Sequence, residues 1–103
     1  GFVSVNAPLD TSEFTTRPLK FNGSALEINY STSAAGQVRV EIQDADGKTI
    51  PGFSLEDCEP IYGDHIARTV VWKQGADISK FAGQPIRLRF EMSDADLYSL
   101  KFN

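Results

Sequence analysis

The residues best suited to chemistry concentrate in one stretch, Gly52 to Lys73, which holds the only Cys (Cys58), the only His (His65) and the only Trp (Trp72) of the 103-residue chain. A Cys–His pair can act as nucleophile and base, but that chemistry also needs an orienting third group and an oxyanion hole. The spacing from Cys58 to His65 along a loop fits no such arrangement. One Cys and one His are also too few for a structural zinc site. Cys58 is therefore expected to be a small buried apolar residue, and His65 a surface or strand-end residue.

Carboxylates are plentiful, at Asp44, Asp46, Glu56, Asp57, Glu59, Asp64, Asp94 and Asp96. Glycosidic bond hydrolysis usually needs two carboxyls held at a set separation around a cleft. Asp44 and Asp46 sit instead in an Asp-Ala-Asp-Gly turn, where Asp is favoured because its side chain bonds the local backbone. Asp94-Ala95-Asp96 reads the same way. Asp57 and Asp64 flank the longest loop and are the candidate ligands for a structural calcium ion, which takes carboxylate and carbonyl oxygens. Asp44 and Asp46 match only the opening of an EF-hand loop. No other cofactor is expected.

Aromatic residues offer a binding chemistry. Trp72 with Tyr62, Tyr98 or Tyr30 would form a flat apolar platform for the C–H face of a sugar ring. Trp72, Tyr62 and Tyr98 are thus the candidate carbohydrate-binding residues. Against that, Trp72 shares one strand face with Val70 while Val71 takes the other. Both faces are apolar, so core or interdomain packing is the preferred reading of Trp72.

Alternation with a period of two marks the elements that carry these residues. Phe2–Asn6 reads as a short strand, Ala7–Ser12 as a turn broken by Pro8, and Glu13–Phe21 as strand interrupted at Pro18. In Ala25–Thr32, Leu26, Ile28 and Tyr30 face one way. In Gln37–Gln43, Val38, Val40 and Ile42 do so. Ser33-Ala34-Ala35-Gly36 between them predicts a turn and hence a hairpin. Lys48–Phe53 and His65–Lys73 are further strands, and Asp77–Phe81 fits one short helical turn. Pro85–Met92 places Ile86, Leu88, Phe90 and Met92 inward and Arg87, Arg89 and Glu91 outward. Ser93–Asp96 predicts a turn before a last strand, Leu97–Phe102. About eight short strands with Gly, Pro, Asn and Asp turns point to an all-β fold. The expected form is a two-sheet antiparallel β-sandwich, jelly-roll or concanavalin-like, filling residues 1–103 as a single domain.

A hydrophobic content of 41% suffices for one core. The net charge is −4, and the ten Lys and Arg are scattered singly. Such a chain is poorly suited to bind nucleic acid or an anionic membrane. No apolar run approaches the ~20 residues of a membrane-spanning helix. Gly1 leads directly into strand-like sequence, so the chain is expected to be a fragment cut from a longer protein.

The order of Gly36-Gln37-Val38-Arg39-Val40-Glu41-Ile42, Asp46-Gly47, Gly52-Phe53-Ser54, Asp57, Gly63-Asp64 and Val71-Trp72, followed by Pro85-Ile86-Arg87-Leu88-Arg89-Phe90 and Ala95-Asp96-Leu97-Tyr98-Ser99, resembles the C-terminal β-sandwich of bacterial proteins related to glycoside hydrolase family 32. The likeness runs from about Gly23 to Phe102. It implies a secreted or periplasmic, non-catalytic accessory domain that packs on a five-bladed catalytic propeller of the same chain. Oligosaccharide is the alternative partner, bound through the aromatic residues. The family's nucleophile motif is missing here. Its Glu-Cys acid/base motif is only echoed by Glu56-Asp57-Cys58-Glu59, where Asp57 directly precedes Cys58. No catalytic residue carries over.

Overall fold

The computed structural model describes the backbone of residues 5–103 and the side chains of residues 12–33, 36–63 and 68–103. The first part of the strand expected at Phe2–Asn6 lies outside the described residues. Four strands are defined: β1 (Val5–Thr15), β2 (Leu26–Asp44), β3 (Asp64–Thr69) and β4 (Ile86–Phe102). All are antiparallel and hydrogen-bonded into one sheet of order β1-β4-β2-β3. A single 3₁₀ turn, Ser79–Phe81, falls where a helical turn was expected. The all-β expectation holds.

The strand count departs from expectation because β2 and β4 are long. The two halves predicted to form a hairpin, on either side of Ser33–Gly36, are successive parts of β2, and both pair with β4. The turn expected at Ser93–Asp96 is likewise internal to β4. Between Thr32↔Ala95 and Gln37↔Ser93, four β2 residues oppose Asp94 alone. Asp94 takes up the mismatch at a φ of 45°. Bulges of this kind bend a strand without ending it. The β1–β4 ladder is similarly interrupted between Ala7 and Thr11, around Pro8, but β1 continues through the position read as a turn.

The bulges also reset which residues face inward. Ile86, Leu88, Phe90 and Met92 are buried, then Ala95 and Leu97, then Leu100. The second change of phase follows from Tyr98, which lies between the Tyr30↔Leu97 and Asn29↔Ser99 pairs and has no opposite number. Without these shifts, one extra residue would turn each following side chain to the other face.

The core lies between this sheet and two irregular connections. Leu26, Ile28, Tyr30, Val38, Val40 and Ile42 supply the β2 side. Phe53, Cys58 and Ile61 come from the 45–63 connection, and Trp72, Ile78 and Phe81 from the 70–85 connection; all are buried in the same cluster. Phe53 packs edge-on against Phe81, with ring centres 5.1 Å apart, and tilted against Trp72 at 5.6 Å.

The free edge of β2 explains how the first connection is held. Val38 exchanges both backbone hydrogen bonds with Ile61, at 2.9 and 3.0 Å. Ile42 donates to Phe53 O at 2.9 Å and accepts from Ile50 N at 3.0 Å. Val40 lies in the gap between these two attachments, where buried backbone groups must still find partners. Side chains fill it: Val40 N donates to Cys58 Sγ at 3.4 Å, and Trp72 Nε1 donates to Val40 O at 2.7 Å.

Candidate functional site

Most of the residues expected to do chemistry have a described place in this frame. Trp72 is only 2% exposed and sits in the core, so it offers no open face to a sugar ring. Tyr62 and Tyr98 are 55% and 44% exposed. The three cannot form one open platform, because Trp72 is buried. Tyr30 is buried, and its hydroxyl donates to the carbonyl of Tyr62, fixing the backbone that carries that exposed ring. Of the three candidates, only Tyr62 and Tyr98 have exposed rings.

The calcium candidates fare differently from each other. Asp57 Oδ2 accepts from Ser54 Oγ at 2.8 Å and Ser54 N at 3.3 Å, while Asp57 N donates back to Ser54 Oγ. The carboxylate thus closes its own turn. The side chain of Asp64 lies outside the described residues, as does that of His65. Among the described residues, no group of three or more His, Cys, Asp or Glu side chains is gathered to hold a metal ion. Asp44 Oδ1 accepts from Asp46 N and Lys48 N at 2.9 and 3.0 Å, as the turn reading required.

Cys58 is buried and free. Burial pushes its thiol from 9.0 up to about 11, outweighing the Val40 N–H bond and the Arg39 charge, which both favour the thiolate. Native protein at pH 8 should therefore resist iodoacetamide, and react fully once unfolded in guanidinium. Because the folded-state value lies above the unfolded one, the thiol's contribution to stability is complete below pH 9 and is lost as pH climbs towards 11. Urea titrations across that window should show wild type losing about 2–3 kcal/mol more than Cys58→Ala. Equal losses in the two proteins would contradict this account.

The outward face of β2 and β4 carries a charged network that alternation foresaw only as polar. Arg39 lies opposite Glu91, Glu41 opposite Arg89 and Gln43 opposite Arg87. Glu41 is 4% exposed because the Ser54–Glu56 turn folds over it. It accepts from Gln43 Nε2 at 2.8 Å and from Arg89 Nη1 at 3.4 Å, and Arg89 Nη2 reaches Glu13 of β1 at 2.7 Å. Arg89 thus ties β1 to β2 across β4, and the Glu13 bond holds its guanidinium even more firmly protonated. Arg39 Nε is buried and has no acceptor.

A concavity of about 550 Å³ opens between the 16–22 segment and the end of β4. Beyond β1 the chain keeps to β4, with Thr16 N bonded to Leu88 O at 2.9 Å and Leu19 exchanging two 2.8 Å bonds with Ile86. Pro18, which has no N–H, interrupts the ladder between them. Phe21 then stacks on Phe102, with ring centres 4.3 Å apart and planes 18° from parallel. These rings, with Leu19 and Leu100, line an apolar cleft edged by Arg17, Lys20 and Lys101. Nothing in the sequence marks this cleft, because its halves lie at opposite ends of the chain.

Among the described residues no helix is long and apolar enough to cross a membrane. No family model, curated protein or solved structure matches the chain.

Proposed function

We propose that the chain is a non-catalytic accessory β-domain of a secreted or periplasmic glycoside hydrolase-like protein, packing against or orienting a catalytic propeller. The observation that supports this is the use made of its most reactive side chains. Cys58 and Trp72 complete the edge of β2 at Val40, and Asp57 closes the Ser54 turn. Their polar atoms are engaged in holding a scaffold together. The sheet and the two connections covering it are read as the two layers of a β-sandwich. Exposed Tyr62 and Tyr98 are the contacts nominated for the propeller, since tyrosine is enriched at such interfaces.

The second reading is a carbohydrate-binding module, favoured by the same two exposed rings. One pair of titrations separates them. For the accessory domain, sedimentation velocity detects a complex with a purified family 32-type propeller, weakened by Tyr62→Ala or Tyr98→Ala. Calorimetry with fructans and other plant and bacterial oligosaccharides then gives no saturable heat. A saturable oligosaccharide response that either tyrosine substitution removes, with no propeller complex, would replace the accessory role by sugar binding.

A further inference from the structure

We propose that the cleft between the 16–22 segment and the end of β4 is a binding site for a small amphipathic carboxylate: an apolar body carrying one anionic head. This assignment is independent of the accessory role and uses a surface that neither tyrosine lines.

Three observations converge on it. The first is shape and floor. A volume of about 550 Å³ falls in the range of small-molecule sites, which are lined mainly by apolar and aromatic groups. Here the stacked Phe21–Phe102 pair and Leu19 present that lining, and Leu100 backs it from the core.

The second is charge. The protein is net acidic, with fourteen Asp and Glu against ten Lys and Arg. Yet three of those cations, Arg17, Lys20 and Lys101, edge this one cleft, and no carboxylate lines it. Of the three, only Lys101 is engaged, lying 3.7 Å from Glu27. Arg17 and Lys20 enter no ion pair among the described residues, which leaves them available to an incoming anion. A carboxylate on a guanidinium gains a charge-assisted, bidentate hydrogen bond.

The third is rigidity. Backbone bonds from Thr16 and Leu19 fasten one wall to β4. Asn103 N donates to Ala25 O at 2.9 Å, and Ser24 N and Ala25 N both donate to Asn103 O, anchoring the far end of the other wall. A cleft already formed spares a ligand the cost of ordering its walls. An apolar floor alone would accept any greasy molecule. The unpaired cations at its margin select the anionic ones.

The test uses octanoate and 1-naphthoate as probes, with 1-octanol as the neutral counterpart. Amide shift mapping on the whole chain should place both carboxylates at residues 16–22 and 100–102. Binding should weaken with added salt, as expected for exposed charges. The double reversal Arg17→Glu with Lys20→Glu should weaken octanoate about tenfold or more while leaving octanol unchanged. Both positions are exposed, so the variant should keep the wild-type melting temperature. Phe102→Ala should weaken all three probes. Three results would overturn the proposal: no saturable shifts with either carboxylate, shifts centred on another surface, or octanoate affinity indifferent to the charge reversal. Loss of propeller association in the double reversal, with octanoate binding intact, would assign the cleft to a domain interface instead.

Discussion

Trp72→Ala should lower the unfolding free energy by about 4–8 kcal/mol, enough to leave a domain of this size largely unfolded at 37 °C. Two losses combine. The ring is 2% exposed and packs against Phe53, so its removal leaves a large cavity, which costs about 3–5 kcal/mol. The same substitution removes the Trp72 Nε1 donor from Val40 O, at a point where the β2 edge is bonded by side chains rather than by a strand. A buried carbonyl left without a partner costs a further 1–3 kcal/mol, roughly. Trp72→Phe separates the terms, because it keeps much of the ring but not the N–H. It should cost about 1–3 kcal/mol. Urea denaturation of the two variants measures both values. A loss below about 1 kcal/mol for Trp72→Ala would place the indole outside the core and reopen its role as a sugar platform.

Gly36→Ala should cost about 3 kcal/mol, with a fall in Tm of roughly 12 °C or more. A Cβ at position 36 would come within 2.6 Å of Ser93 O and closer still to Asp94 O. Both are backbone atoms of the neighbouring strand, so no rotamer change relieves the clash. The strand would have to shift where Asp94 already holds a positive φ. Thermal melts followed by far-ultraviolet circular dichroism would measure the effect. A change of less than about 3 °C would show that β2 and β4 approach less closely here than described.

Gly36 also marks the border of what can be read from sequence. Alternation correctly placed Leu26, Ile28 and Tyr30, then Val38, Val40 and Ile42, on buried faces. It did the same for Ile86 to Met92, because a period of two is a local property of any half-buried strand. Small and polar residues ending in Gly look alike in a tight turn and in a bulge. The Ser33–Gly36 pattern therefore predicts a hairpin, although β2 runs on through it. The distinction depends on β4, far away in the chain. Trp72 was legible as a packing residue from its apolar neighbours, but its bond to Val40 was not. Nothing local to Gly52–Lys73 shows that a gap in another strand's edge needs a donor. Glu41 shows the same limit: its position on the polar face was evident, while its burial depends on the Ser54–Glu56 turn folding back.

The pairing of β2 with β4 has a consequence for how the molecule forms. Asp44 meets Ile86 and Leu26 meets Phe102, so even the nearest pair encloses both connections, β3 and the 3₁₀ turn. No tight hairpin joins the two central strands. Loop closure must precede the main reward of pairing, which places folding in the slower range for small domains, on the order of milliseconds to seconds. During synthesis β2 leaves the ribosome well before its principal partner exists. For that interval its Val- and Ile-rich face is uncovered and the edge that β4 takes is unpaired, a state open to pairing with other chains. Charged residues set among apolar ones weaken such pairing, and β2 carries Arg39 and Glu41 between Val38, Val40 and Ile42.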